Sequence, residues 1–144
     1  NGILYVGFRD IDNGNRETVM KYDGSKWGFV GNPSFTSGIV NDPLLSVDNG
    51  TPYVAFNDAD HDYKVTVMRF NGTSWETVGD PGFTGYNPFS LSFAVYSGTP
   101  YVAYQDGENE SKATLMKFNG ISWESVGSPG FSPVPVELLT PGTM

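Results

Sequence analysis

A chain of 144 residues with 15% aromatics, 18 glycines and only 17% charged residues can bury one core, and it favours strands and tight turns over helices. Eight basic against sixteen acidic residues give a net charge of −8, which repels duplex nucleic acid and anionic membranes but leaves cationic partners and divalent cations open. The absence of cysteine excludes disulfide and thiol chemistry, and no apolar run reaches membrane-spanning length.

An internal repeat dominates. Tyr5, Asp10, Thr18, Met20, Gly24, Trp27, Gly31, Pro33 and Phe35 each recur 48 and 96 positions later, without gaps. The chain is three copies of one unit, about 1–48, 49–96 and 97–144. It opens on the turn Asn1-Gly2, so the first copy lacks an inner strand of its own. An inner strand is predicted at 44–48, followed by the turn 49–52 and a second strand at 53–57 with few polar side chains. A third strand at 64–70 alternates, with Val65, Val67 and Arg69 on one face. Asn71-Gly72, like Asp23-Gly24 and Asn119-Gly120, predicts a type I′ hairpin. The fourth strand, 74–78, carries Trp75, and a turn-rich connection leads to the next inner strand at 92–96. A third inner strand is due within 134–140, but the register is lost there, so 133–144 is either a closing strand or a linker.

Four antiparallel strands repeating at this spacing predict an all-β fold, a β-propeller with three blades per chain. Three blades do not close a ring, and an open arc leaves two apolar faces uncovered. The expected closure is a homodimer of six blades, in which the C-terminal strand of one chain completes the first blade of the other. Trp27, Trp75, Trp123, Phe35, Phe83 and Phe131 are expected between blades as structural residues.

The loops between second and third strands are acidic in every copy: Asp10 and Asp12; Asp58, Asp60 and Asp62; Asp106 and Glu108. Alternating carboxylates suit a hard cation, and a calcium site is one reading of Asp58, Asp60 and Asp62. An EF-hand is excluded, because its twelfth position falls on Lys21 and Arg69. The other reading is a solvated loop whose first aspartate caps its own turn. Tyr86, in a neighbouring connection, places an aromatic beside these carboxylates, as a sugar or peptide ligand would need. His61 is the only histidine, so neither a multi-histidine metal site nor a histidine base in each copy is available. Sialidase-type Asp boxes fail on spacing, since Asp or Asn directly precedes the glycine.

The segments Gly50-Thr51-Pro52-Tyr53-Val54-Ala55 and Phe70-Asn71-Gly72-Thr73-Ser74-Trp75-Glu76 resemble a repeat of large secreted bacterial proteins, β-propellers of the broad kelch and NHL type. The segment 135–139 looks like the linker that ends such propellers in some secreted Bacteroidetes proteins. This resemblance implies an extracellular or cell-surface setting. The hairpin 22–27 and its copies look like hairpins of fucose-binding propeller lectins, some of which build a six-bladed ring from partial chains. That family holds sugar with an arginine, a glutamate and an aromatic. Here Val6, Val54 and Val102 stand where a basic residue is wanted, and Arg9 occurs in one copy only, so that sugar site does not carry over.

The leading expectation is a non-enzymatic extracellular binding or adhesion module, with a carbohydrate or peptide ligand on the acidic-loop face and a second copy of itself as partner. A purely structural or engineered scaffold and a glycan-processing enzyme fragment are the alternatives. No cofactor is expected apart from the calcium reading.

Overall fold

The computed structural model describes residues 2–138. Eleven strands form three antiparallel sheets among these residues. The first sheet has β1 (Leu4–Asp10), β2 (Arg16–Tyr22) and β3 (Trp27–Phe29). The middle sheet runs in order β4 (Val40–Asp48), β5 (Thr51–Asp58), β6 (Lys64–Phe70) and β7 (Trp75–Thr77). The last sheet repeats it with β8 (Leu91–Tyr96), β9 (Thr99–Asp106), β10 (Lys112–Phe118) and β11 (Trp123–Ser125). Each inner strand thus pairs with the second strand that follows it, and the sheets are offset from the units counted from Asn1. One-turn 3₁₀ segments at Ile11–Asn13, Ala59–His61 and Gly107–Asn109 close the acidic loops.

The hairpins correct one expectation. Tyr22 pairs with Trp27, so the loop between them holds four residues, not two. Only its glycine has positive φ, at 99°. Asp23 Oδ1 instead accepts the N–H groups of Ser25 and Lys26, both at 2.9 Å. An Asx side chain folds the loop by imitating a backbone turn. The I′ conformation belongs to Asn49-Gly50 and Ser97-Gly98, where both central residues have positive φ. Residues 65–67 are buried on both faces, so the third strand lies inside the stack and is not half-solvated.

Two apolar layers hold the sheets together. Val19, Val30, Val40, Val54 and Phe56 fill the first, and Val65, Val67, Leu91, Phe93 and Val102 anchor the second. Each layer carries the same lock. Phe35 stacks on Trp75 at 4.2 Å and Phe83 on Trp123 at 3.9 Å, both within 5° of parallel. Trp75 Nε1 donates to the Val30 carbonyl at 2.7 Å, and Trp123 Nε1 to that of Val78 at 2.8 Å. Gly31, at φ 70°, leaves room for the lock, since a Cβ there would stand 2.9 Å from the Phe70 ring.

Trp27 and Phe131, the remaining members of the two series, have no such partner among the described residues and stand exposed. The outer face of the first sheet is open in the same way. Val6 is 46% and Phe8 37% exposed, whereas their equivalents Val54 and Phe56 are 0% and 2% exposed.

Past Ser132 the chain enters the path by which inner strands join their sheets. Val136 N donates to the Ser111 carbonyl at 2.9 Å, as Val40 N does to that of Asn15 at 3.0 Å. Gln105 Nε2 donates to the Val136 carbonyl at 2.7 Å, as Asn57 Nδ2 does to that of Pro88 at 2.8 Å. Leu138 bonds through its backbone to Ser90 Oγ. No strand ladder forms over 134–138, and the rest of the expected closing segment, 139–144, lies outside the described residues.

Candidate functional site

The acidic loops are built around one inward-turned aspartate per copy. Asp58 and Asp106 are buried despite their charge. Asp106 Oδ1 accepts the Glu108 N–H at 3.0 Å, while Oδ2 accepts Thr114 Oγ1 at 2.6 Å and Asn109 Nδ2 at 2.8 Å. Asp58 repeats the pattern with the Asp60 N–H, Thr66 Oγ1 and His61 Nδ1 at 3.1, 2.7 and 2.9 Å. Asp10 bonds Asn13 Nδ2 at 2.8 Å and Ser34 Oγ at 3.3 Å. These oxygens tie the loop to its sheet. The lone histidine serves here in the place that asparagine takes in the other copies, as a donor to the aspartate.

Replacing Asp106 with alanine leaves three donors, among them the buried Thr114 hydroxyl, without their acceptor. The expected cost is about 2–4 kcal/mol of unfolding free energy in urea titration, against less than about 0.5 kcal/mol for the exposed Asp12.

Two more loop carboxylates, Asp60 and Glu108, pack on the preceding connection. Ser37 Oγ donates to Asp60 Oδ2 at 2.5 Å. A Cβ on Gly85 would collide with the Glu108 carboxylate, and one on Gly107 would stand 2.8 Å from the Tyr86 ring. Tyr86 therefore lies against the Asp106–Glu108 loop, with its other side exposed. Asp62 is the left-handed residue that ends its 3₁₀ segment. Among the described residues no three His, Cys, Asp or Glu side chains gather where a metal ion could be held. Asp58, Asp60 and Asp62 share a loop without converging on one point.

Two wide openings lie elsewhere, at the other end of the strands. A cleft of about 590 Å³ separates the first and middle sheets, and one of about 500 Å³ the middle and last. They are the same site 48 residues apart. Tyr5 and Lys21 face Thr51, Tyr53, Arg69 and Asn71 across the first. Arg69 faces Thr99, Tyr101, Lys117 and Asn119 across the second. Arg69 Nε bonds Glu76 Oε1 at 2.9 Å, and Asn71 Nδ2 bonds Glu76 Oε2 at 3.0 Å. The Asn71 amide, and then Arg69, hold the Glu76 carboxyl below its ordinary range. Lys117 sits 3.7 Å from Glu124, which Asn119 bonds in the same way. Lys21 faces Gly28 across the ladder, so the first cleft has a cation without that carboxylate.

A tyrosine, a cation, a carboxylate and a carboxamide on one rim can bind the adjacent hydroxyls of a sugar. They include no paired nucleophile and base. Sequence reasoning passed over this rim, although its signal was present. Tyr recurs at 5, 53 and 101, and a basic residue at 21, 69 and 117. The tyrosines serve there as markers of the repeat, and Arg69 as one step in a strand's alternation.

No protein-family model matches the chain, and no curated protein matches its sequence. Solved structures match its fold. One is a fucose lectin from Kordia zhangzhouensis in complex with methyl-fucoside, at TM-score 0.64 and 12% identity, over 88% of this chain and 91% of that one. Another is a mutant Aleuria aurantia lectin with α-methyl-L-fucoside, at TM-score 0.60 and 16% identity, over 94% of this chain and 48% of that one. The same lectin with Fucα1-6GlcNAc gives TM-score 0.58 and 16% identity, over 88% of this chain and 46% of that one. This chain therefore spans about half of the Aleuria lectin. None of the three is a kelch or NHL protein, so the lectin likeness is the one that the fold supports. At these identities what is shared is the fold: all-β, with antiparallel sheets of one repeated design.

Proposed function

We propose that this chain is a non-enzymatic carbohydrate-binding module, three blades of a β-propeller that a second copy extends to six, acting outside the cell or at its surface. The observation that carries the reading is the recurrence of one cleft, with the same tyrosine, basic residue and asparagine, at each junction between sheets. Lectins of similar fold add support, since those proteins were solved with fucosides bound. Isothermal titration with methyl-α-L-fucoside, backed by a glycan array, tests it. Arg69 borders both clefts. Its replacement by alanine is expected to weaken binding about tenfold or more, because a charged hydrogen-bonding group is lost twice over. A folded protein that is silent across the array would overturn the reading.

A second reading places the ligand on the acidic-loop face formed by Asp10, Asp12, Asp58, Asp60, Asp62, Asp106, Glu108 and Tyr86. It is favoured by Tyr86, whose exposed ring rests on the Gly107 backbone beside Glu108. Binding lost on Tyr86→Ala and kept on Arg69→Ala would select that face.

A further inference from the structure

The two ends of the stack are the two halves of a contact that the chain already makes twice. Between consecutive sheets, a phenylalanine from the earlier connection stacks on the tryptophan of the later sheet, and the indole N–H meets a valine carbonyl. At the leading end Trp27 is 46% exposed, with Val6, Phe8 and Phe29 uncovered on the same face. At the trailing end Phe131 is 58% exposed and Val126 stands where Val30 and Val78 are buried. Gly31 and Gly79 each sit against a tryptophan ring, whereas none of the described residues lies within 4 Å of the position a Cβ on Gly127 would take. The trailing end therefore offers the stacking ring, the carbonyl and the space, and the leading end offers the tryptophan. Residues 136–138 extend the match: they lie on the entry path of a further inner strand, and among the described residues β1 has no partner on its inner side.

We infer that the trailing end of one copy docks on the leading end of a second copy, Phe131 stacking on Trp27 and Trp27 Nε1 donating to the Val126 carbonyl. This rests on reading the sheets as propeller blades, but not on the sugar. The contact is heterologous, so it either closes or propagates. It also deepens the proposed site. At each such junction Tyr101 and Lys117 of one copy stand across from Tyr5 and Lys21 of the other, making a third cleft that neither copy has alone. Its rim would carry Lys117 and Lys21, with Glu124 beside the first and Asp23 in the place that Asn71 and Asn119 take in the other two clefts.

The test is the solution mass of the full chain, by light scattering over a dilution series. Wild type is expected at twice the 15.7 kDa chain mass. Trp27→Ala and Phe131→Ala each spoil every junction and are expected to raise the dissociation constant about 30-fold or more, as interface anchors do. Mixing them restores one intact junction, Phe131 of the first variant on Trp27 of the second. A one-to-one pair should therefore form at concentrations where each variant alone is monomeric. Both side chains are exposed in the single chain, so circular dichroism should show retained sheets, and Val6→Asp gives an independent disruption of the leading face. A monomeric wild type, single variants that pair as well as wild type, or a mixture that stays monomeric would overturn the docking. A sugar-binding monomer would overturn the docking alone, and a dimer that binds no sugar the carbohydrate reading alone.

Discussion

Glu17→Gln is expected to remove most of a loss of stability that the wild-type chain undergoes as pH rises from about 4.5 to about 8. Glu17 is 1% exposed, and its Oε2 has no hydrogen-bond partner among the described residues. Burial among apolar groups disfavours the charged form and pushes its pKa from 4.5 up to about 8. The folded chain therefore keeps a proton that the unfolded chain releases above pH 4.5, and stability falls as pH rises through this window. At 1.36 kcal/mol for each pKa unit the effect is on the order of 4–5 kcal/mol, a large part of the roughly 5–15 kcal/mol that holds most domains folded. Glutamine keeps the shape and cannot ionise. Urea unfolding of both proteins at intervals of pH should give curves that diverge above pH 4.5, and parallel curves would refute the assignment. Asp23, Glu76 and Glu110 do not blur the comparison. Their pKa values are lowered, so their contributions are lost only as pH falls through the acid range.

The surroundings of Glu17 explain how the fold accommodates it. Gly7 lies beside it, and a Cβ there would come within 3.0 Å of Glu17 Oε1. The middle sheet has Ala55 and Val65 at these two positions, and the last sheet Ala103 and Ala113. The first sheet has a smaller residue at the first of these positions and a larger one at the second, so Glu17 fills the space of a missing methyl group. Arg9, directly opposite Glu17, turns its guanidinium to Asn41 Oδ1 at 3.0 Å and leaves the carboxyl unpaired.

The repeat made the strands legible. β6 and β10 follow from alternation and from the glycine that ends each, and the missing inner strand of the first sheet follows from the phase of the copies. The pattern could not show where hydrogen bonds go inside a turn. Asn71-Gly72 has the composition of a two-residue hairpin, yet Asn71 Oδ1 accepts from Thr73 and Ser74 and makes a longer loop. For the acidic loops, composition alone left two readings open, a ligand face and a turn capped by its own aspartate. Thr66 and Thr114, eight residues further along, bond those aspartates across the sheet, which no local pattern reveals. Glu17 was legible in another way, as a charge at a position where the other copies have Val65 and Ala113. The clefts were hidden because each takes residues from two copies, and a repeat read one unit at a time never places Tyr5 beside Arg69.

Trp75→Ala is expected to destabilise the chain by about 3–5 kcal/mol, the range for deleting a large aromatic side chain from a core. Two interactions are lost together, the face-to-face stack on Phe35 and the bond to the Val30 carbonyl. Their shares can be separated. Trp75→Phe keeps a ring to stack and has no N–H, so it should recover most of the loss. What remains should be about 1–2 kcal/mol, made of the missing bond and a smaller buried surface. If phenylalanine restored nothing, the hydrogen bond and not the stack would be the lock between sheets. Phe131→Ala would then be a poor probe of docking, and the Val126 carbonyl would become the group to test. If phenylalanine recovers most of the stability, the ring carries the lock, and the exposed Trp27 and Phe131 are the pair through which two chains would hold each other.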